Sequence, residues 1–243
     1  NWYAYCGNNP VNAVDPWGLD AIIITAKDAA WLQGHTSLIC QNSNGEWFYT
    51  YWGDNAAAVI KIPDYMMGNI DNFNTALKDF VAQNGFGNIT TDYTNATYVA
   101  GDFTNSLIAA YEDVNAASNH YKSTGSLIAF EDGSKVYQGV NGEYSLRNNN
   151  CMHRSYYALG KGSLADGSNL FSYFAATGIT AKVGDYAQPN KAIETFAQAF
   201  MNSSFSKFNA KKSIVNYANL YDAGSEWAKV YRKGQYARAV RGY

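Results

Sequence analysis

Residues 34–52 read GHTSLICQNSNGEWFYTYW. The segment holds two runs rich in β-branched and aromatic residues, 35–41 and 46–52, with Asn44-Gly45 between them. Strands favour such residues, and Asn-Gly is a preferred sequence of tight hairpin turns, so the segment predicts a β-hairpin. His35 then lies at the beginning of the first strand, directly after Gly34.

The pattern around this hairpin predicts a mixture of strands and helices. Further β-type runs occur at 20–26, 58–62, 98–103 and 126–138, the last of them a second hairpin. Apolar residues follow helical spacing in 70–83 and after Thr104, which we expect to cap its helix, and the chain beyond Gly160 is expected to be largely helical. Strands with interspersed helices predict an α+β fold.

The composition is that of a folded globular protein. Hydrophobic residues make up 47% of the 243 residues and charged residues 16%, which excludes a disordered chain. No apolar run approaches the roughly 18 residues of a membrane-spanning helix. Since no charged-then-apolar leader is present, we expect a cytosolic protein or one exported by a machine that needs no such leader. Cys6, Cys40 and Cys151 are an odd number at unrelated spacings, so we expect no disulfide framework, metal or cofactor.

Charge is distributed unevenly along the chain. From Phe205 onward, eight basic residues stand against two acidic ones, although the whole chain has a net charge of −2. A basic segment of this kind binds nucleic acid, an anionic membrane surface or an acidic partner protein, or it forms a solvated helix face. The sequence leaves these alternatives open.

A second segment carries the residue types of nucleophilic catalysis. Residues 143–146 predict a short strand, a polar turn follows, and Cys151 opens a helix that is expected to reach about Leu159. The free N–H groups and the dipole at a helix start favour a thiolate over a thiol, and a nearby imidazole completes the activation. Cys151 and His35 are therefore the candidate nucleophile and base, whereas Cys40, inside an apolar strand, is expected to be inert.

The order of these two residues resembles the circularly permuted branch of the papain-like superfamily, which includes permuted NlpC-type hydrolases and the lecithin:retinol acyltransferase group. The resemblance spans roughly residues 30–160. It consists of Gly34-His35 with the aromatic strand after it, and of Tyr144-x-Leu146-x-x-Asn149-Asn150-Cys151 with Leu159 in the following helix. It implies a permuted papain-like fold, in which an antiparallel sheet packs on the cysteine helix.

The resemblance also implies roles for individual residues. Cys151 is the nucleophile and His35 the general base, and the Cys151 backbone N–H meets the oxyanion with the help of Asn149 or Asn150. The superfamily's third polar residue, which orients the imidazole, lies on the strand after the histidine. That strand has no His, Asp or Asn in its middle here, and the alternatives are Tyr49, Tyr51, Gln41 and Glu46.

The first nineteen residues resemble a different family. They read NWYAYCGNNPVNAVDPWGL, in which Pro10 precedes the motif Asp15-Pro16-x-Gly18-Leu19. This pattern is similar to the end of the core of Rhs-repeat proteins, large shells that carry a toxin as their C-terminal segment. The resemblance implies that the shell's aspartyl-protease-like site cuts after Leu19, and the alternative is a leader with ordinary Asn-Pro and Asp-Pro turns. We expect residues 1–19 to end the Rhs core and 20–243 to be the toxin, with a papain-like core over about 20–180 and a helical tail over about 188–243.

Together the two resemblances imply an antibacterial toxin with cysteine hydrolase or transferase activity. Such a toxin is secreted, as through type VI secretion, and delivered into a target bacterium, where we expect it to act in the periplasm or envelope. The expected substrate is the peptide part of peptidoglycan. The alternative is a membrane phospholipid, because permuted relatives include phospholipases and acyltransferases, and twenty Tyr with six Trp suit either surface.

Other classes of function find less support in the sequence. No zinc signature of a deaminase and no His-rich nuclease motif is present, so we expect no nucleic-acid partner, and a cytosolic toxin such as an ADP-ribosyltransferase ranks lower. A pore former lacks its long apolar segment. The expected partners are the Rhs shell before release and a cognate immunity protein afterwards.

We predict that the intact parent protein is cut between Leu19 and Asp20, because the Asp15-Pro16-x-Gly18-Leu19 motif resembles the cleavage signal of Rhs cores. Mass spectrometry of the released fragment gives its first residue. A fragment that begins at another position would contradict the Rhs interpretation of the leader.

Overall fold

The structure, a computed structural model, describes residues 19–26, 29, 34–68, 70–99, 101–146, 149–164 and the backbone of 214–217. Within these residues the strands are β1 (Ala21–Ala26), β2 (His35–Gln41), β3 (Trp47–Trp52), β4 (Ala56–Ile62), β5 (Asn95–Val99), β6 (Gly101–Asp102), β7 (Thr124–Ala129), β8 (Lys135–Val140), β9 (Ser163–Leu164) and β10 (Ile214–Tyr217). The helices are α1 (Ile70–Asn84), α2 (Thr104–Asn119) and α3 (Cys151–Leu159), with a 3-10 helix at Asp64–Gly68.

One large antiparallel sheet organises the described part of the chain. Its eight strands follow the order β10-β5-β1-β2-β3-β4-β8-β7, and β6 pairs with β9 in a separate two-stranded sheet. The predicted hairpin is β2–β3, with Gly45 at a φ of 77° in its turn, where glycine meets no steric penalty. The mixture of helices with an antiparallel sheet confirms the predicted α+β class.

The central strands are buried on both faces, which explains their nearly continuous apolar sequence. Alternate residues of β1 enter two different cores, because successive side chains of a strand point to opposite faces. Ile23 packs in the core under α2 and α3, and Ile22 packs in the core under α1. The sheet therefore lies between two helical layers. Within the described residues, no helix combines the length and the apolar character needed to cross a membrane.

Two local predictions are wrong because side chains near the element ends override them. Phe103, not Thr104, is the N-cap position of α2, since the fully buried Phe103 ring fixes where the chain enters the helix. The first-turn N–H of Thr104 is met by Asp102 Oδ1 at 3.0 Å instead. Residues 143–146 form a turn rather than a strand, because Asn141 Oδ1 accepts the Glu143 N–H at 3.1 Å and competes with strand pairing.

The helical tail predicted for about 188–243 is wrong at Ile214–Tyr217, which form the edge strand β10 paired with β5. The sequence there, Ile-Val-Asn-Tyr, is rich in residues that favour strands. The rest of that tail and its basic residues lie outside the described residues.

We predict that Ile23→Ala lowers the free energy of unfolding by about 2–5 kcal/mol, because it leaves a cavity in the centre of the sheet. The matched control is Ile108→Ala on α2, whose side chain is 50% exposed and which we expect to change stability by less than about 0.5 kcal/mol. Urea unfolding of both variants gives the comparison, and equal losses would contradict the placement of Ile23.

Candidate active site

The sheet opens between β2 and β3 at one end of the hairpin. The ladder between the two strands runs from Gln41↔Trp47 to Leu38↔Thr50 and stops there. β2 continues to His35 in register with β1, and β3 continues to Trp52 in register with β4. The backbone of residues 35–37 is thus paired on the β1 side and not with β3, which leaves a split between the two strands.

The start of α3 occupies this split. The Thr36 backbone N–H donates a hydrogen bond to the sulfur of Cys151, and Ser155 Oγ donates to the Thr36 carbonyl at 3.2 Å. On the other side, Trp52 Nε1 donates to the Asn149 carbonyl at 3.0 Å. The helix start therefore bonds to both strands and replaces part of the missing ladder.

Cys151 is the first residue of α3, as the sequence predicts. Asn150 is the N-cap, and its Oδ1 accepts the N–H groups of Met152 at 3.0 Å and His153 at 3.2 Å. Burial raises the pKa of the Cys151 thiol to about 11, although hydrogen bonds from the Thr36, Met152 and Cys151 backbone N–H groups act in the opposite direction. The thiol is consequently neutral at physiological pH.

His35 lies on the face of β2 that is turned toward α1. Its Nε2 makes a 3.0 Å hydrogen bond with Ser37 Oγ, and its ring stacks on Tyr51 at a centroid distance of 4.5 Å. Burial lowers the pKa of the imidazole to about 3, so the ring is neutral as well. Because Thr36, which follows His35, contacts the Cys151 sulfur, the structure brings the beginning of β2 and the beginning of α3 together.

The direct partner of His35 Nε2 is Ser37, which is none of the four alternatives that the sequence left open. Tyr51 Oη donates to the Asn88 carbonyl at 2.8 Å, and Tyr49 Oη bonds to Tyr93 Oη at 2.6 Å. Ser37 could have been found from the sequence, because residues two apart on a strand share a face. Tyr93 could not, since it comes from a loop more than fifty positions further along the chain.

Gln41 and Glu46, the other two alternatives for the orienting residue, have polar partners other than His35. Gln41 bridges the Asp20 N–H and the Gly45 carbonyl, at 3.1 and 2.9 Å. Glu46, just before β3, pairs with Lys61 of the neighbouring strand β4. Neither carboxylate nor amide is therefore recruited to the imidazole from these positions.

The side chains of Asn149 and Asn150 hold the loop before Cys151. Asn149 Nδ2 donates to the Glu143 carbonyl, and Asn150 Nδ2 donates to the Leu146 carbonyl at 2.9 Å. Asn150 Oδ1 is the helix cap, which is a structural task. The backbone N–H of Cys151 therefore remains the more direct donor for an oxyanion at this site.

A charged pair lies one helical turn beyond Cys151. Arg154 Nη1 is 3.2 Å from Asp113 Oδ1, and the guanidinium lies over the Trp52 ring at 5.0 Å. Burial raises the pKa of Asp113 to about 6, although Arg154 acts in the opposite direction. A pocket beside this pair is lined by Thr50, Tyr51, Trp52, Ala58, Ala110, Asp113, Arg154, Ser155 and Ala158.

The two other histidines have different surroundings. His153 Nδ1 lies 2.9 Å from Asn150 Oδ1 at the helix start, and His120 Nε2 lies 3.9 Å from Glu143 Oε1. Among the described residues, no group of three or more His, Cys, Asp or Glu side chains is placed to hold a metal ion. Cys40 is fully buried in the core under α2 and α3, where burial raises its pKa to about 12.

Of the candidate cleavage motif, the structure describes the last residue, Leu19. Asp15, Pro16 and Gly18 lie outside the described residues. Leu19 is buried, and its carbonyl accepts the Phe103 N–H at 2.9 Å. Asp20 N–H donates to Gln41 Oε1 at 3.1 Å, so both sides of the expected scissile bond are engaged in the folded chain. A cut after Leu19 therefore requires that this part of the sheet be open.

We predict that His35 makes the protein less stable as the pH falls. Its pKa is lowered from 6.5 to about 3 on folding, so between these values the unfolded chain binds a proton that the folded chain does not. The free energy of unfolding should drop by about 1.4 kcal/mol per pH unit relative to His35→Gln. Urea unfolding of both proteins at several pH values measures this difference, and parallel curves would contradict a buried, neutral His35.

Comparisons with known proteins give no relative of this chain. No protein-family model matches the chain, and neither the search of curated proteins nor the search of solved structures gives a significant match. The candidate site therefore consists of Cys151 at the start of α3 and His35 at the start of β2, together with the groups around them.

Proposed function

We propose that this chain is an antibacterial toxin domain with cysteine hydrolase activity, and that it cleaves amide bonds in the peptide part of peptidoglycan. Cys151 is the nucleophile and His35 the general base. The observation that carries the proposal is the hydrogen bond from the Thr36 N–H to the Cys151 sulfur, which joins the histidine strand to the start of the cysteine helix. This contact brings together the two elements that carry the thiol and the imidazole, which supports their assignment as a pair.

The chemistry follows from the protonation states of the two groups. Both are neutral at rest, so His35 takes the thiol proton as the sulfur attacks the carbonyl carbon of the substrate. The Thr36 and Met152 N–H groups stabilise the negative charge on the sulfur as it attacks, and the Cys151 N–H donates to the oxyanion that forms. His35 then gives its proton to the leaving amine, and water cleaves the thioester with His35 again as the base.

The burial of the pair indicates how the reaction is controlled. Cys151 is 2% exposed and His35 5% exposed, so a substrate has to displace part of the cover to reach the sulfur. A neutral buried thiol is also a poor nucleophile until the base removes its proton. Before a substrate arrives, the domain is therefore protected against oxidation and alkylation of its nucleophile.

The proposed site of action is the periplasm or envelope, where peptidoglycan peptides are found. Delivery by an Rhs shell and neutralisation by a cognate immunity protein belong to the same proposal, which rests on the resemblance of residues 1–19. An acidic surface on the immunity protein would suit the basic segment from Phe205 onward, because complementary charge speeds association.

We predict that Cys151→Ser and His35→Ala each lower the hydrolysis of purified peptidoglycan by at least about a thousandfold. The double variant should be little worse than either, because nucleophile and base act as a unit. The matched control is Cys40→Ser, the same change at a buried thiol in the core under α2 and α3, which should keep its activity once folding is verified by circular dichroism.

The bond and the compartment are tested together by expressing the chain in a bacterium with and without a periplasmic signal. Growth, muropeptides and free fatty acids are followed in the same cultures. We expect killing and altered muropeptides only with export. Fatty-acid release without muropeptide change would replace peptidoglycan by a lipid substrate, and killing from the cytosol with neither change would overturn both envelope targets.

A further inference from the structure

Four buried side chains form one hydrogen-bonded row that begins at His35. Nε2 of His35 is 3.0 Å from Ser37 Oγ, and Ser37 Oγ is 2.9 Å from Tyr93 Oη. Tyr93 Oη is 2.6 Å from Tyr49 Oη, which in turn is 3.2 Å from the carbonyl oxygen of Thr90. All four side chains are at most 5% exposed, so the row is shielded from solvent.

The end of the row fixes its direction. A carbonyl oxygen only accepts hydrogen bonds, and each hydroxyl has a single proton to donate. If Tyr49 donates to the Thr90 carbonyl, then Tyr93 donates to Tyr49 and Ser37 donates to Tyr93. Ser37 is left as an acceptor, and its partner, Nε2 of His35, has to carry the proton. In the opposite direction, Tyr49 donates to Tyr93 and has no proton left for the Thr90 carbonyl. That arrangement therefore makes one hydrogen bond fewer.

The surroundings keep the row in place. Asn74 of α1 bonds to the backbone of Tyr93 twice, through Oδ1 at 3.2 Å and Nδ2 at 3.1 Å. Phe73 packs against the rings of Tyr49 and Tyr93, with centroids 5.9 and 6.1 Å away. Burial also raises the pKa of both tyrosines well above the usual value, so their hydroxyls stay protonated.

We propose that Ser37, Tyr93 and Tyr49 are positioning residues that hold His35 in the tautomer with the proton on Nε2, which leaves Nδ1 as the free base. The catalytic consequence rests on the proposed function, whereas the tautomer rests on the hydrogen bonds alone. Nδ1 takes the proton of the Cys151 thiol, and the imidazolium that forms keeps Nε2–H bonded to Ser37. No proton leaves along the row. The hydroxyl dipoles of the row have their oxygen ends toward Nε2–H, so they stabilise the imidazolium of His35.

This arrangement replaces the charged or amide partner of a histidine by neutral hydroxyls. A carboxylate beside the ring would raise its pKa and favour an ion pair with the thiolate at rest. The hydroxyl row orients the ring without adding charge, which agrees with the low pKa of about 3 of the buried imidazole. The resting site therefore stays neutral and ordered.

The tautomer is measured directly by nuclear magnetic resonance of the 243-residue protein with ¹⁵N-labelled histidine near neutral pH. His35→Gln assigns the resonances. We expect a protonated Nε2 with a slowly exchanging, low-field proton, and an unprotonated Nδ1. In Ser37→Ala and Tyr93→Phe that proton should lose its low-field shift and its protection from exchange, and Ser37→Thr, which keeps the hydroxyl, should restore both.

The same variants are assayed on purified peptidoglycan. We expect Ser37→Ala and Tyr93→Phe to lower kcat roughly five- to tenfold with KM unchanged, the effect of one lost hydrogen bond on the reacting group. Tyr137→Phe is the matched control, since it removes a buried hydroxyl that donates only to the Val140 carbonyl in the other core, and it should change neither the spectrum nor kcat.

A proton on Nδ1 would overturn the proposal, whether or not the protein has activity. The proposal would also fail if the Ser37→Ala variant kept both the Nε2–H resonance and the kcat of the unmodified protein, with its folding verified by circular dichroism. Ser37→Ala decides alone if Tyr93→Phe does not fold, because Ser37 Oγ is the direct partner of His35 Nε2. If the protein shows the expected resonance but does not hydrolyse peptidoglycan, the assignment of the tautomer stands and the proposed function is refuted.

Discussion

The arrangement of the candidate site depends on the need of buried backbone groups for hydrogen-bond partners. β2 and β3 are buried on both faces, so an N–H or carbonyl left unpaired between them has no water to turn to. Their ladder nevertheless stops at Leu38↔Thr50. The start of α3 meets this need, since the Cys151 sulfur takes the Thr36 N–H and Ser155 takes the Thr36 carbonyl. The position of the Cys151 thiol is thus part of how the sheet is completed.

The site is assembled from both sides of the sheet. α3 packs in the core that contains Leu38 and Trp52, and the tyrosines beside His35 belong to the core under α1. The start of α3 and the start of β2 meet at the split, where the two cores adjoin. Both cores have to form before Cys151 and His35 reach the positions that the structure gives them.

Burial determines the protonation states of Cys151 and His35. Removal from water costs a charged group more than a neutral one, so it raises the thiol pKa to about 11 and lowers the imidazole pKa to about 3. The helix start and the strand N–H act against this but do not outweigh it. In the proposed reaction, charge appears only when a substrate is attacked, and hydroxyl and N–H dipoles already point to where it develops.

The sequence by itself determined the local elements and the residue types of the site. The density of aromatic and β-branched residues with Asn44-Gly45 gave the β2–β3 hairpin, and the polar turn before Cys151 gave a helix that begins at that residue, because these features depend on neighbours along the chain. Tertiary structure alone decided what surrounds them. Tyr93 and Thr90 reach His35 and Tyr49 across a long separation, and Ser37 rather than Tyr49 or Tyr51 became the partner of Nε2. The edge strand β10 formed in a segment expected to be helical, because pairing with β5 is a contact between distant parts of the chain. Side-chain burial, and with it the neutral state of Cys151 and His35, likewise follows from packing between layers that no local pattern records.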